Sequence, residues 1–287
     1  MGRIQEWELQ EVFSQLKVIN MQKLILNKGN GLVQVTTEDE RWYAIQDNDN
    51  VTGLPTYRFI PSVTWICGYY PKGIAFYKWL ASKGWDESQA QKNAAGDKGS
   101  KIHLAIEDLI RGETVKMNSK YPNKSTGRDE ELTTEEYEAV LSFASWVAKV
   151  KPVFLHTEIT VISKKYGFAG TVDCVARIGD EIYIIDWKSS QYVWPEMEIQ
   201  VSAYKEPLIE MGIVDESVKL AILQVGYKKN RAGFKWNEIE PKLPLFLAAK
   251  TIWEHETSGQ KPSQKDYPIS IKLKVDEPKV KAKKSKV

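Results

Sequence analysis

Two cysteines, Cys67 and Cys174, are all that 287 residues contain. They are too few for a disulfide framework, a four-cysteine zinc site or a four-cysteine iron–sulfur cluster, so both are expected as buried, reduced thiols. Long apolar runs are missing as well. Stretches such as Ile182–Ile185 and Leu243–Ala249 fall far short of the roughly 20 residues that a membrane span needs, and no membrane partner is expected. The opening residues carry Glu6, Glu8 and Glu11 but neither a basic n-region nor an apolar signal core, which predicts an intracellular, cytoplasmic location. A Gly-x-x-x-x-Gly-Lys-Ser/Thr phosphate loop is absent, so neither a fused helicase motor nor a nucleotide cofactor is expected. No repeat recurs at a period of 20 to 50 residues. Net charge is small, formally +2, yet unevenly spread: Lys261–Val287 sets nine lysines against Asp266, Asp276 and Glu277, a net of +6. The remainder is neutral to slightly acidic, which argues against a wholly basic coat for nucleic acid but leaves room for a locally basic groove.

What is present suffices for a full core, with 42% hydrophobic and 11% aromatic residues. Lys23–Val35 and Arg41–Ile45 alternate apolar and polar positions around an Asn30-Gly31 turn signal, so residues 1–60 read as a β-rich lead-in. From Ser62 to Gly112 the period becomes helical, with breaks expected at Pro71, Gly84 and Gly96. Ile102, Ala105, Ile106, Leu109 and Ile110 form the predicted buried stripe of the last helix there, and Gly112 ends it. Lys116–Asp129 is polar and rich in turn formers and reads as a loop. Thr133 or Thr134 caps a helix to about Val150, with Glu135 and Glu136 well placed near its N-terminus. Three strands are predicted at Val153–Ile162, Phe168–Ile178 and Glu181–Trp187, the last two joined by Gly179-Asp180. A helix from Pro195 to about Met211, a strand at Val218–Val225 and a helix at Leu243–His255 follow. The order predicts an α/β fold with a central mixed sheet flanked by helices over residues 61–260, and a Lys-rich, flexible tail over 261–287.

Ionisable groups across the three predicted strands give the sharpest chemical signal. Asp173 lies in the second strand; Asp186 and Lys188, two apart at the end of the third, share one face while Trp187 points away. A carboxylate ending a run as apolar as Ile182-Tyr183-Ile184-Ile185 is costly to bury alone. Two carboxylates beside a lysine can hold Mg²⁺ or Mn²⁺ through oxygen and leave room for water and a phosphate. They can equally be an ion pair at a strand end, and the triplet by itself leaves both readings open. Gln200 and Tyr204, four apart, lie on one helix face, where an amide and a phenol could hold a nucleotide, a phosphate or the lysine, or could belong to an ordinary amphipathic helix. Upstream, Tyr57, Arg58, Trp65, Tyr69, Tyr70, Tyr77, Lys78 and Trp79 interleave aromatic and basic groups. That mixture suits either core packing or stacking on unpaired bases. Ser62 and Thr64 are candidate helix caps and phosphate contacts.

Taken together, Glu158, Gly170-Thr171-Val172-Asp173, Ile184-Ile185-Asp186-Trp187-Lys188 and Gln200-Val201-Ser202-Ala203-Tyr204 resemble the PD-(D/E)XK nuclease superfamily, in its RecB-like exonuclease branch. Gly99-Ser100-Lys101-Ile102-His103 is similar to that branch's Gly-x-x-x-His element. Pro61-Ser62-Val63-Thr64 is similar to an entry motif of mitochondrial genome maintenance exonucleases and their phage relatives. The resemblance covers Pro61 to Tyr204. It implies a Mg²⁺- or Mn²⁺-dependent DNA exonuclease, acting on single-stranded DNA with a free end in replication, repair or recombination, in a bacterial or phage-infected cell. By position it makes His103, Asp173, Asp186 and the Trp187 carbonyl metal ligands and Lys188 the catalytic lysine. Glu158 would support the metal or its water, and Ser62, Thr64, Gln200 and Tyr204 would contact nucleic acid. Alternatives are a structure-specific endonuclease on the same site and a DNA-end-binding protein without catalysis.

Overall fold

A five-stranded mixed sheet carries the molecule, and its three central strands follow from the burial of apolar runs seen in the sequence. The computed structural model describes residues 24–25, 32–36, 41–48, 55–227 and 233–258. In chain order these form β1 (Leu24–Ile25), β2 (Leu32–Thr36), β3 (Arg41–Asn48), β4 (Pro55–Pro61), α1 (Val63–Cys67), α2 (Ile74–Lys83), α3 (Trp85–Ile110), β5 (Lys120–Asn123) and β6 (Arg128–Glu131). Then come α4 (Thr134–Val150), β7 (Val153–Ser163), β8 (Phe168–Ile178), β9 (Glu181–Lys188), α5 (Pro195–Glu210), β10 (Lys219–Val225), β11 (Phe234–Ile239) and α6 (Leu243–Glu256). The described residues fall within one compact unit. The expected tail at 261–287 and the Asn30-Gly31 turn lie outside the described residues.

The main sheet runs β11-β10-β9-β8-β7, with β9 and β10 parallel and every other neighbour antiparallel. A parallel pair needs a crossover, and α5 supplies it, opened by Pro195 at a position where a missing N–H costs nothing. Period-two alternation sends Cys174, Ala176, Tyr183, Ile185 and Trp187 to one face, where Ile102 and Ile106 of α3 and Phe143 and Trp146 of α4 meet them. Helix α4 begins with a full capping box: Thr133 Oγ1 accepts the Glu136 N–H, and Glu136 accepts the Thr133 N–H. Such a reciprocal cap satisfies two otherwise orphaned donors.

Four sequence expectations need correction or addition. Helix α3 runs unbroken through Gly96, because the Ile102–Ile106 stripe buries against the sheet and outweighs the roughly 1 kcal/mol that an interior glycine costs. Residues Lys116–Asp129, read as a loop, contain most of the β5–β6 hairpin, anchored by buried Tyr121 in a small cluster with Ala105, Leu132 and Val140. Strand β11 had no predicted counterpart, although its Phe234 and Trp236 pack on the core while Lys235 and Glu238 are exposed. The lead-in is a four-stranded antiparallel sheet, β1-β2-β3-β4, which packs on the main sheet through Tyr43, Ile60 and Ala169. The aromatic region divides. Trp65 joins Trp42 and Trp253 at ring separations of 4.6 and 5.3 Å, whereas α2 buries no residue at all and Tyr77 is 53% exposed. The side chain of Tyr57 lies outside the described residues.

Candidate metal and phosphodiester site

Three carboxylates stand in one row across the sheet. The β7–β8 pairs Thr157–Cys174 and Ile159–Val172 bracket Glu158 opposite Asp173, and one step beyond the β8–β9 pair Cys174–Ile185 sets Asp173 opposite Asp186. Like charges directly opposed are unfavourable, and the backbone gives up regularity at this row. Glu158 adopts a φ of 47°, in the left-handed region that costs a residue with a Cβ about 1–2 kcal/mol. The β8–β9 ladder stops at Cys174–Ile185, and beyond it the Trp187 N–H donates to Asp173 Oδ2 at 2.8 Å. A side chain thus replaces a ladder carbonyl, and backbone strain marks the position that must aim a carboxylate.

Helix α3 brings His103 over the end of β9. Its Nε2 lies 3.1 Å from the Trp187 carbonyl and its Nδ1 3.7 Å from Asp173 Oδ1. One ligand atom from each of His103, Glu158 and Asp173 falls within 4.8 Å of the others. Donation from Nε2 of the neutral ring leaves the Nδ1 lone pair on the Asp173 side. The Trp187 indole points the other way, into the core between Phe143 and Trp146, at 5.2 and 5.9 Å.

Asp186 is engaged on the opposite flank. Lys188 Nζ lies 2.6 Å from its Oδ2, and Gln200 Nε2 donates to its Oδ1 at 3.3 Å. Gln200 ties the flank together, accepting from Lys188 Nζ at 3.4 Å and donating to the Tyr204 hydroxyl at 2.9 Å. Beyond the ionic contact with Lys188, Asp186 Oδ2 accepts no directional hydrogen bond among the described residues, although it is fully buried. Gly170 explains itself here: a Cβ on it would sit 2.6 Å from Tyr204 Cε1, so only glycine lets β8 pass beneath the ring. Gly99 has no such constraint, a Cβ there meeting only Ser189 Oγ at 4.0 Å.

Electrostatics follow from burying three acids beside one base. Burial, followed by the Asp173 charge, pushes the Glu158 carboxyl up to about 8. Burial also raises Asp173 to about 6 against the pull of Lys188 and the Trp187 N–H, and raises Asp186 to about 6 against Lys188. Burial and then Lys188 push His103 down to about 4, so the imidazole is neutral and its lone pair free for a ligand. Although burial disfavours its charge, Asp186 and Asp173 hold the Lys188 ammonium above its ordinary value. Tyr204, buried beside the same two carboxylates, is pushed well above the ordinary phenol range.

His103, Glu158, Asp173, Lys188, Gln200 and Tyr204 line a groove of about 1400 Å³, with Asp186 buried behind Lys188. Thr64 is exposed on its wall, whereas Ser62 is 1% exposed and spends its hydroxyl accepting the Trp65 N–H at 3.1 Å, as the cap of α1. The structure therefore brings together His103, Glu158, Asp173, Asp186, Lys188, Gln200 and Tyr204 and leaves Ser62 out. Among the groove residues that escaped sequence reasoning are Arg41, from the lead-in sheet, and Lys124, from the hairpin. Neither belongs to a spaced motif, and only the packing of β3 and of the hairpin brings them here. Cys67 and Cys174 are both buried and unpaired by disulfide, and burial pushes the Cys67 thiol up to about 12.

No protein-family model matches the chain, and no curated protein matches it. Among solved structures it is similar to the protein SSO0001, with 11% identity over 56% of this chain and 86% of that one, at a TM-score of 0.26. A likeness of that size fixes neither fold nor activity. No helix among the described residues is long and apolar enough to cross a membrane.

Proposed function

We propose that the chain is a metal-dependent DNA exonuclease of PD-(D/E)XK type that hydrolyses phosphodiester bonds at single-stranded ends. The observation that carries this reading is the row of half-buried Glu158 and buried Asp173 and Asp186, with Lys188 at one end and neutral His103 beside it. Taking three carboxylates out of water carries a charging cost that pushes all three acids up, against Lys188 at Asp173 and Asp186 and against Arg41 at Glu158 and Asp173. A hard divalent cation would relieve it. The oxygen-rich set fits Mg²⁺ or Mn²⁺, the single imidazole favouring Mn²⁺ of the two, with His103, Glu158 and Asp173 as the holding residues and Asp186 adjoining. Such a cation supplies Lewis acidity and a water of lowered pKa.

The chain's own groups divide the remaining work. Lys188, held charged by Asp186, presents its ammonium to the groove, where it offsets the negative charge that builds on a phosphate under attack. Gln200 fixes both partners of that ion pair and is itself fixed by the Tyr204 hydroxyl, so the lysine has little freedom to wander. His103 remains an unprotonated donor and the Trp187 carbonyl orients its ring. Linear and circular single-stranded DNA offered side by side with Mn²⁺ test the reading. Wild type should degrade only the linear strand, and Asp186→Asn and Lys188→Ala should each lose at least ~10²-fold in rate while remaining folded. Rapid loss of the circle would mean an endonuclease; binding without any cleavage would mean a DNA-end-binding protein.

A further inference from the structure

Two cations that no motif announced, Arg41 and Lys124, carry one more step. Arg41 and Lys124 come from elements outside the five-stranded sheet, yet both line the groove on its His103–Glu158 flank. The position of Arg41 follows from β3: the Tyr43 hydroxyl and Thr171 Oγ1 lie 2.9 Å apart, Arg41 shares the face of Tyr43, and Asp173 shares the face of Thr171. Arg41 thereby stands near enough to Glu158 and Asp173 to offset their charge. The Lys124 N–H donates to Asp97 Oδ1 at 3.2 Å, and the turn beside it is fixed by Asn123 Oδ1, which accepts the Ser125 and Thr126 N–H groups at 2.9 and 3.1 Å. The residue is exposed, on a turn that these backbone hydrogen bonds fix.

Neither cation closes an ion pair among the described residues, whereas Lys98 on the same wall is neutralised by Glu135 at 2.6 Å. Partial desolvation and then the Arg41 charge push the Lys124 ammonium down. Asp97 offsets Lys124 in part, as Glu158 and Asp173 do Arg41, but with no ion pair closed both donor groups stay open, and a planar guanidinium beside a point charge matches a tetrahedral oxyanion.

Resting on the nuclease reading, we propose that Arg41 and Lys124 form a phosphate clamp that holds a non-scissile backbone phosphate of a single nucleic-acid strand on the His103 flank of the groove. The test is fluorescence anisotropy of a labelled oligothymidylate in EDTA, between about 50 and 200 mM salt. Arg41→Ala and Lys124→Ala should each shallow the log–log salt dependence by about 0.7, and the double variant by about 1.4, since each single-strand phosphate contact contributes that slope. Lys149→Ala, equal in charge change but outside the groove, should keep the wild-type slope. Thermal melts check that every variant is folded, and in cleavage assays the double variant should raise KM by a larger factor than it lowers kcat. A double variant with the wild-type or the Lys149→Ala slope overturns the clamp, as does a wild type that does not bind the strand. Loss of slope in a protein that never cleaves would keep the clamp and remove the nuclease; cleavage with an intact slope would do the reverse.

Discussion

Gly170→Ala adds one methyl group where, of the described glycines, a Cβ has the least room. The new Cβ would lie 2.6 Å from Tyr204 Cε1, 3.3 Å from Tyr204 Cδ1 and 3.3 Å from Val63 Cγ2. Tyr204 is 2% exposed and its hydroxyl is held by Gln200, so the ring cannot swing into solvent to make room. Overpacking of this kind costs about 1–3 kcal/mol, and at about 2–4 °C per kcal/mol for a domain of this size the melting temperature should fall by about 2–12 °C. Activity should fall further than stability accounts for. A displaced Tyr204 releases Gln200, and Gln200 is what holds Lys188 and Asp186. The expected signature is a lowered kcat at temperatures where the variant is fully folded. Gly99→Ala is the matched control: its Cβ has open room within a helix, and replacing a helical glycine should stabilise by up to ~1 kcal/mol. Differential scanning calorimetry on both variants decides the matter. A Gly170→Ala protein that melts with wild type would show that the ring yields, and the packing account of this glycine would be wrong.

Two further outcomes follow from the buried charges. In metal-free protein the Glu158 carboxyl titrates near 8, above its usual 4.5, so the folded state keeps a proton that the unfolded chain has released. That stabilising share is complete below about 4.5 and is lost as pH rises through 8. Asp173 and Asp186 act likewise up to about 6, but His103, depressed to about 4, acts oppositely below 6.5, so the clean window is pH 6.5 to 8. Across it the melting temperature in EDTA should fall for wild type and stay flat for Glu158→Gln, while Mn²⁺ should raise it most at the alkaline end; a wild-type melting temperature that rises or holds across the window refutes this. Separately, Lys101 and Glu136 form an ion pair at 2.7 Å with side chains 4% and 5% exposed, so Glu136→Ala should cost about 3–5 kcal/mol by stranding a buried cation, while Lys101→Met with Glu136→Gln should recover most of it in denaturant titrations.

Much of the main sheet could be read from the chain because its strands are uninterrupted apolar runs bounded by turn residues. Phe168–Ile178 was expected and observed with the same ends, Pro195 opens its helix as predicted, and of the two candidate caps Thr133 and Thr134 it is Thr133 that serves. The hairpin was invisible because it buries little beyond Tyr121, and a polar two-stranded piece has almost no periodic signal. Gly96 misled because helix propensity is a local quantity and the decision at that position is tertiary. In the site, the order of Asp173, Asp186, Lys188, Gln200 and Tyr204 was legible. The row was not, since placing Glu158 opposite Asp173 requires the strand register, and a register shift near Leu155 makes counting along β7 unsafe. Arg41 and Lys124 were out of reach for a related reason, as their neighbours are set by how separate sheets and hairpins dock.

The placement of the site at the end of β9 has its own logic. In open α/β sheets, ligands gather beyond the carboxyl ends of parallel strands, where the connections diverge and a crevice forms. Here β9 pairs with β10 in parallel while its antiparallel ladder to β8 ends at Cys174–Ile185, so the end of β9 is held on one side only. Such a strand end would fray unless anchored. Trp187 supplies the anchor by burying its indole between Phe143 and Trp146 on the far face, and its backbone serves the near face, with the N–H on Asp173 and the carbonyl on His103. One residue therefore couples the aromatic core to the irregular end of the β8–β9 ladder. The alternation of a strand makes this possible: Asp186 and Lys188 project toward α5 because Trp187 between them does not. An apolar side chain between two charged ones is thus part of the site, and its loss should loosen Asp173 and His103 together.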